Sequence, residues 1–176
     1  GFTITTEVCT HYYANDLNYP SELQSQVEEA ISKTEDTMGL KFGDPLNPLL
    51  MSVRSGARIS MPGMMETVLN VGLTSKTIPG LIEKSGSPKF VYDAYRRLIT
   101  MYADVVMEKA AGLEPKDGIS IRERLEELID ERKQEKGVHQ DTDLDGNDWK
   151  ELSDSFKTTV KDVLGSEFPD DPHTQL

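Results

Sequence analysis

The stretch that decides the fold reads Leu49-Leu50-Met51-Ser52-Val53-Arg54-Ser55-Gly56-Ala57. Its first five residues predict a largely buried strand, because they form a short apolar run after the turn residues Gly43-Asp44-Pro45 and Asn47-Pro48. Arg54 follows this strand directly, and open α/β proteins bind ligands at the carboxyl ends of their strands. The small residues after Arg54 let a ligand approach the backbone closely. We therefore expect a ligand site at Arg54.

The next motif is Met61-Pro62-Gly63-Met64-Met65-Glu66-Thr67, which predicts a glycine turn leading into a helix through Val68 and Leu69. Helix starts present free N–H groups that suit phosphate oxygens, so the motif and Arg54 together predict a polyphosphate site. Two other interpretations of these residues stay open at this point. An arginine after a strand often forms only a surface ion pair, and methionines suit plain packing as well as a mobile loop over a ligand. The pattern matches neither a P-loop nor the dinucleotide fingerprint.

The residues before this region predict two helices after a short strand. Phe2-Thr3-Ile4-Thr5 alternates like a strand, Thr6 is placed to cap a first helix, and a second helix is expected from about Ser21 to Gly39. The chain opens at Gly1 without an initiator methionine, which suggests a piece cut from something longer.

From Thr74 onward the pattern predicts helices only. Ser87-Pro88 opens a strongly apolar helix through Val106, which we expect to be the spine of this half. A capping box and an N-cap predict two more helices, at residues 120–137 and 145–165. The expected fold class is α+β and predominantly helical, with a short-stranded α/β part at residues 1–78 and an all-helical part at residues 79–176.

Composition excludes several classes of function. The 176 residues are 36% hydrophobic and 28% charged, which is typical of a folded globular chain. The formal net charge of -12 opposes binding to nucleic acid or to an anionic membrane, so we expect neither partner. The single cysteine, Cys9, is expected to be a small buried core residue and cannot form an internal disulfide. No apolar run approaches membrane-spanning length, so we expect a soluble protein of the cytoplasm or an organelle.

A different class of function is suggested by Asp141-Thr142-Asp143-Leu144-Asp145-Gly146, which begins like a calcium-binding EF-hand loop. The loop then departs from the pattern, because Leu152 stands where a bidentate glutamate is needed and Glu151 comes one place early. A helix start with Asp145 as its cap explains the same residues. The alternative hypothesis is thus a helical interaction or calcium-binding module.

The remaining polar candidates have ordinary explanations. His11, His139 and His173 stand far apart in sequence, without metal-ligand or nucleophile-base spacing, and are expected to be structural. Arg96 and Arg97 are expected on a solvated helix face, with docking to a partner domain as the alternative.

The stretch from Gly43 to Leu73, with both motifs described above, resembles the signature of the pyruvate, phosphate dikinase family. Phosphoenolpyruvate synthases share the Val-Arg-Ser beginning but lack the Met-Pro-Gly-Met-Met run, so the dikinases are the closer relatives. Further similarities span nearly the whole chain: Gly1-Phe2-Thr3-Ile4-Thr5-Thr6-Glu7, Tyr92-Asp93-Ala94-Tyr95-Arg96-Arg97, Glu135-Lys136-Gly137-Val138-His139, Asp141-Thr142-Asp143-Leu144, Phe168-Pro169 and Asp171-Pro172.

The resemblance implies part of an ATP-grasp nucleotide-binding domain, in which Arg54 contacts ATP phosphates and Gly63 and Thr67 line the phosphate-binding loop. In this family ATP donates a pyrophosphoryl group to a histidine on a separate swivelling domain. One phosphoryl group then passes from that histidine to pyruvate, and inorganic phosphate accepts the other one. The implied partners are the remaining ATP-grasp portion and the phosphohistidine domain of a parent enzyme that is expected to be a homo-oligomer.

The resemblance also implies that parts of the site lie elsewhere. The family's ATP-binding lysine, in a Gly-Gly-Lys-Gly motif, is expected upstream of Gly1, and the acidic ligands of Mg²⁺ are expected downstream of Leu176. None of the three histidines matches the family's phosphorylated histidine. We therefore expect no catalytic residue and no metal ligand in this chain, weak or no ATP binding by the chain alone, and no turnover. Micromolar affinity for MgATP in titration calorimetry would contradict this expectation.

Overall fold

The computed structural model describes residues 1–56 and 67–176. The chain forms two units, Gly1–Phe42 and Gly43–Leu176. The first unit contains the helices α1 (Thr6–Ala14) and α2 (Leu23–Met38) and the short strand β1 (Lys41–Phe42). Among the described residues, each helix is too short or too polar to span a lipid bilayer.

The start of the first unit differs from the sequence-based expectation. The predicted opening strand is wrong, since residues 1–5 are exposed and lie outside any strand. The helix α1 follows as predicted, but its N-cap is Thr5, whose side chain makes no capping hydrogen bond. Cys9 is exposed rather than part of a core, and no residue of α1 is buried. Alternation over four residues is a short pattern, and it needs a pairing strand before it can form a ladder.

The end of α2 is confirmed at Gly39. This glycine adopts a left-handed conformation with φ 64°, and its N–H donates to the carbonyl of Glu35 over 2.8 Å. Glycine suits this position because it has no Cβ to clash in the left-handed region. The Glu35 carboxylate then accepts the N–H of Phe42 and the ammonium of Lys41, each over 2.8 Å, which ties β1 to α2.

The second unit begins with the strands β2 (Pro48–Leu49), β3 (Met51–Arg54) and β4 (Thr67–Val71). β3 and β4 pair antiparallel, with Met51 opposite Val71, Val53 opposite Val68 and Arg54 opposite Thr67. Between the first two pairs β3 has one residue and β4 has two, so β4 carries a bulge. Asn70 in this bulge has φ 62°, a left-handed conformation that asparagine tolerates better than most residues.

Two predictions for this region are wrong. Val68 and Leu69 lie in strand β4, not in a helix. The β-branched residues Thr67, Val68 and Val71 favour a strand, and pairing with β3 satisfies their backbone groups. The strand predicted as largely buried is buried only at Leu49, whereas Val53 keeps 42% of its surface exposed. A short apolar run does not by itself distinguish a helix from a strand.

The rest of the second unit is helical, as predicted. Its α-helices are α3 (Ile78–Ser85), α4 (Pro88–Tyr102), α5 (Ile121–Lys136), α6 (Gly146–Leu164) and α7 (Pro172–Gln175). The fold class, α+β and predominantly helical, is confirmed for the described residues. The break between the two units falls after residue 42, and the separate division near residue 78 stays a prediction.

The helix caps predicted in the second unit are confirmed, unlike the one predicted at Thr6. The Ser87 side chain accepts the N–H of Phe90 over 3.3 Å, and Ser120 forms a capping box with Glu123. The Asp145 carboxylate accepts two N–H groups at the start of α6. Each cap satisfies backbone donors that the helix itself leaves unpaired.

The core of the second unit lies between α4, α5 and α6. The buried residues recur every three or four positions and so place one face of each helix against the others. They are Val91, Tyr95, Leu98 and Ile99 on α4, Ile121, Leu125 and Ile129 on α5, and Trp149, Leu152, Phe156 and Val160 on α6. Full burial of one such large apolar side chain contributes about 1.5–3 kcal/mol.

The helix α4 continues as a π-helical segment, Ala103–Ala110, which the sequence pattern did not predict. Asp104 is only 2% exposed and lies 3.2 Å from the ammonium of Lys109, five residues later. Arg122 at the start of α5 donates to the same carboxylate oxygen over 2.7 Å. The carboxylate of Glu108 accepts the N–H of Ile121 over 3.0 Å, so the segment also holds the start of α5.

Candidate functional site

Two of the three predicted ATP-binding residues are neighbours in the structure. Arg54 ends β3 and Thr67 begins β4, and the two residues lie directly opposite each other in the ladder. Directly opposed residues of antiparallel strands place their Cβ atoms about 4.5–5.5 Å apart on one face. The third residue, Gly63, lies outside the described residues, as do Met61, Met64 and Met65.

Arg54 is exposed, and its guanidinium forms no ion pair with any carboxylate of residues 1–56 and 67–176. The alternative interpretation of Arg54 was a surface ion pair, but the described part of the chain offers no carboxylate partner for it. The contrast with the helical region is clear, because Arg96 pairs with Asp93 over 2.8 Å. An arginine without a carboxylate partner keeps its planar set of N–H donors for an incoming anion.

The β3–β4 hairpin is supported from one side only. β4 packs against α4, with Val68 5% exposed and Val71 fully buried. Val53 and Leu69 remain 42% and 38% exposed. β3 pairs with no strand other than β4 in the described ranges. The hairpin is thus a short platform on the helical core, with Arg54 and Thr67 at the end nearest the connecting residues 55–66.

The chain leaves β4 through a tightly hydrogen-bonded turn. Gly72 has φ 101°, a conformation that favours glycine. The buried hydroxyl of Thr77 accepts the N–H of Thr74 over 2.8 Å and lies 3.3 Å from the carbonyl of Gly72, to which it donates. This turn fixes the direction in which β4 runs into α3.

A segment far along the chain, residues 168–175, covers this turn and is called the clamp segment below. The side-chain oxygen of Gln175 accepts the N–H of Gly72 over 2.9 Å. The side-chain nitrogen donates to the carbonyls of Leu73 and Pro169, over 3.2 and 2.9 Å. Gln175 is 4% exposed, so these hydrogen bonds are sheltered from water. Gln175 was not predicted from the sequence, where the only signal near it is the similarity at Phe168-Pro169 and Asp171-Pro172.

Asp170 adds a second attachment beside Gln175. Its carboxylate accepts the N–H of Ser75 over 2.8 Å and the hydroxyl of the same serine. Tyr95 of α4 donates its phenol to Asp170 over 3.2 Å. Burial, and then the nearby Asp170 carboxylate, raise the pKa of Tyr95 well above its ordinary range, so the phenol remains a donor at physiological pH.

The candidate calcium loop is a capped helix start. The Asp145 carboxylate accepts the N–H groups of Asp148 and Asn147 over 3.0 and 2.8 Å, and these hydrogen bonds hold its pKa below the usual value. Asp141 pairs with Lys133 over 3.1 Å, and Asp143 accepts a backbone N–H. In the described parts of the chain, no group of three or more His, Cys, Asp or Glu side chains is placed to hold a metal ion. The calcium-binding alternative is therefore not favoured.

The two adjacent arginines have different environments. The Arg96 guanidinium lies 4.5 Å from the ring centre of the buried Trp149, in addition to its ion pair with Asp93. Arg96 therefore belongs to the helical core. The expectation that it lies on a solvated face is wrong. Arg97 fits that expectation better, since its side chain is 59% exposed and pairs with Asp93 over 2.9 Å. All three histidines are exposed.

Comparison with known proteins identifies relatives of the whole chain. A family model described as "Pyruvate phosphate dikinase, AMP/ATP-binding domain" matches residues 13–103, which include β3, β4 and Arg54. Pyruvate, phosphate dikinase of Clostridium symbiosum is 51% identical over all of this chain, which covers 19% of that enzyme. The chloroplastic enzyme of Flaveria trinervia is 42% identical, with 17% covered, and the enzyme of Rhizobium meliloti is 42% identical, with 18% covered.

The chain thus spans about a fifth of the length of the curated relatives it matches, while similarity to them extends over 100% of the chain. The family model alone covers more than half of the chain and contains the hairpin on which two predicted site residues lie. This chain belongs to the family defined by the AMP/ATP-binding domain of pyruvate, phosphate dikinase.

Proposed function

We propose that this chain contributes ATP phosphate contacts to a pyruvate, phosphate dikinase, with Arg54 as the principal cationic group. One observation carries the proposal. Arg54 is exposed and lies opposite Thr67 at the end of the hairpin, without a carboxylate partner among the described residues. Both residues lie inside the region that the family model matches. An unpaired guanidinium beside a hydroxyl supplies a charged donor and a neutral donor to the same phosphate group.

The parent enzyme interconverts ATP, pyruvate and phosphate with AMP, phosphoenolpyruvate and diphosphate through a phosphohistidine. In that cycle the contribution of Arg54 is electrostatic. Its fixed positive charge stabilises the negative charge on the phosphate oxygens as the pyrophosphoryl group leaves ATP. Thr67 and Gly63 complete the phosphate contacts in this proposal. Gly63 lies among residues 57–66, outside the part of the chain that the structure describes.

The nucleotide-binding domain proposed for the parent enzyme is an ATP-grasp domain, of which this chain supplies only part. Mg²⁺ is the expected metal, but the described residues provide no cluster of ligands for it. We therefore assign no residue of this chain to Mg²⁺ and derive no step through the ion. The proposed partners are the remaining ATP-grasp portion and the phosphohistidine domain, in a homo-oligomeric enzyme of the cytoplasm or an organelle.

The test uses the full-length enzyme to which we assign this chain. Arg54→Ala is expected to lower the rate of histidine phosphorylation from ATP about 100-fold, because it removes a preorganised charge from the reacting phosphates. Phosphorylation of the same histidine from phosphoenolpyruvate should keep its rate, since that half of the reaction does not use the ATP site.

The matched control is Arg97→Ala, which removes an exposed arginine that pairs with Asp93 on α4. This variant should phosphorylate its histidine from ATP at the unaltered rate. If Arg54→Ala also retained near-normal phosphorylation from ATP, the role assigned to Arg54 would be wrong.

A further inference from the structure

The clamp segment touches the chain on both sides of the hairpin. Before the hairpin, Pro172 packs against Gly43. A Cβ added at Gly43 would lie 3.1 Å from the Cγ atom of Pro172. After the hairpin, Gln175 binds the backbone of Gly72 and Leu73. One short segment therefore holds both the entry to and the exit from residues 43–75.

The clamp segment is itself anchored to α4, the helix that supports β4. The ring of Phe168 is 5% exposed and makes edge-to-face contacts with Tyr95 and Tyr102, at centre distances of 6.2 and 5.6 Å. The Tyr102 phenol donates to the carbonyl of Thr174 over 3.3 Å. Aromatic pairs of this geometry add about 0.5–1.5 kcal/mol beyond the area they bury. The segment thus forms a fixed bridge between the helical core and the base of the hairpin.

The hairpin needs such an attachment because two paired strands are marginally stable by themselves. At its base Met51 pairs with Val71, the residue directly before Gly72. The N–H of Gly72 and the carbonyl of Leu73 are buried, so loss of their partner leaves polar groups without hydrogen bonds in an apolar setting. Arg54 and Thr67 lie at the opposite end of the same short ladder.

We propose that Gln175 is a positioning residue for the phosphate-binding hairpin: by fixing Gly72 and Leu73 it sets the base of the β3–β4 ladder and hence the place of Arg54. Gln175 touches no substrate in this proposal and acts through the ladder. The inference deepens the proposed function and rests on it for the part that concerns ATP, whereas the effect on the hairpin can be measured without any nucleotide.

The first experiment measures amide hydrogen exchange in the full-length enzyme carrying Gln175→Glu, without nucleotide. The glutamate keeps an oxygen for the N–H of Gly72 but replaces the amide donor by a carboxylate that faces the carbonyls of Leu73 and Pro169. The amides of β3 and β4 should exchange about 10-fold faster, while the buried amides of α5 and α6 keep their rates. Gln134→Glu, the same change at an exposed position of α5, should leave the hairpin unchanged.

Two results would overturn the positioning role. Unchanged exchange in β3 and β4 would mean that Gln175 does not hold the hairpin. Equal acceleration in the hairpin and in α5 and α6 would mean that the substitution weakens the whole unit and has no specific action on Arg54.

The second experiment measures steady-state kinetics in the full-length enzyme. Gln175→Glu should raise KM for ATP about 10-fold and leave KM for pyruvate unaltered, because a displaced Arg54 loses contact with ATP phosphates only. An unaltered KM for ATP beside faster hairpin exchange would refute the positioning of Arg54 by Gln175. The Arg54→Ala variant tests the ATP site separately, so failure of the proposed function is distinguishable from failure of this inference.

Discussion

The helical core and the β3–β4 hairpin lie in the same unit, but they are built in opposite ways. In the core, α4, α5 and α6 bury large apolar side chains such as Phe156, and their ends are capped by side chains. In the hairpin, two short strands rest on one helix, and Val53, Leu69 and Arg54 face outward. The core holds the largest fully buried side chains, whereas the hairpin leaves Arg54 exposed without a carboxylate partner among the described residues.

This difference indicates where mutations affect stability and where they affect binding. Burial and capping act on the free energy of unfolding, since their partners are inside the unit. An exposed arginine without a carboxylate partner contributes little to folding, because no interaction among the described residues depends on its charge. We therefore expect core substitutions to change stability, and the Arg54 substitution to change ATP affinity.

The largest expected effect is on the core. Phe156→Ala should lower the free energy of unfolding by about 3–5 kcal/mol, because Phe156 is fully buried and its removal leaves a cavity. Phe90→Ala is the matched control, because Phe90 is 66% exposed. This substitution should lower the free energy of unfolding by less than about 0.5 kcal/mol. Urea denaturation followed by circular dichroism measures both. Equal losses in the two variants would contradict the assignment of the core to α4, α5 and α6.

A smaller effect is expected where a loop packs on α3. A Cβ added at Gly80 would lie 2.2 Å from the carbonyl oxygen of Pro45, so the loop before β2 must move in Gly80→Ala. We expect a loss of about 1–3 kcal/mol, even though alanine favours a helix, since a backbone clash cannot be relieved by a rotamer change. Gly56→Ala is the control in the same denaturation assay, because its added Cβ meets no atom of the described residues within 4 Å. A Gly80→Ala chain as stable as the control would refute this close packing.

The smallest effect concerns pH and the cap of α6. The backbone N–H groups of Asp148 and Asn147 hold the pKa of Asp145 below its reference value of 3.8. Because the folded chain binds this proton less readily than the unfolded chain, the carboxylate stabilises folding above pH 3.8 and loses that effect as pH falls through the folded pKa. Asp145→Asn should therefore differ most from the original chain at neutral pH. Chemical denaturation at pH 7 and at pH 3 measures the difference in the free energy of unfolding between this variant and the original chain. The same difference at both pH values would contradict the prediction.

The sequence predicted the features that depend on neighbouring residues. Ser87, Ser120 and Asp145 cap their helices as expected, because a cap and its N–H partners lie within three residues of one another. The family signature likewise placed Arg54 in a nucleotide-binding domain. Whether Arg54 binds ATP phosphates is a separate question that the cap residues do not address.

The sequence failed where distant contacts decide the structure. Val68 lies in a strand because β3 pairs with it, and the apolar run alone fits a helix equally well. Cys9 is exposed although small apolar residues are usually buried, since α1 buries no residue. Gln175 bonds to a residue 103 positions earlier in the chain, and no local pattern encodes such a contact.

The most direct test of the account compares affinity and stability in one variant. In the full-length enzyme, Arg54→Ala should weaken MgATP binding about 100-fold in titration calorimetry, while the midpoint of thermal unfolding without nucleotide stays the same. That result would separate binding at the hairpin from stability in the helical core. Unaltered MgATP affinity, or a lowered unfolding midpoint that accounts for the loss of binding, would contradict the central role of Arg54.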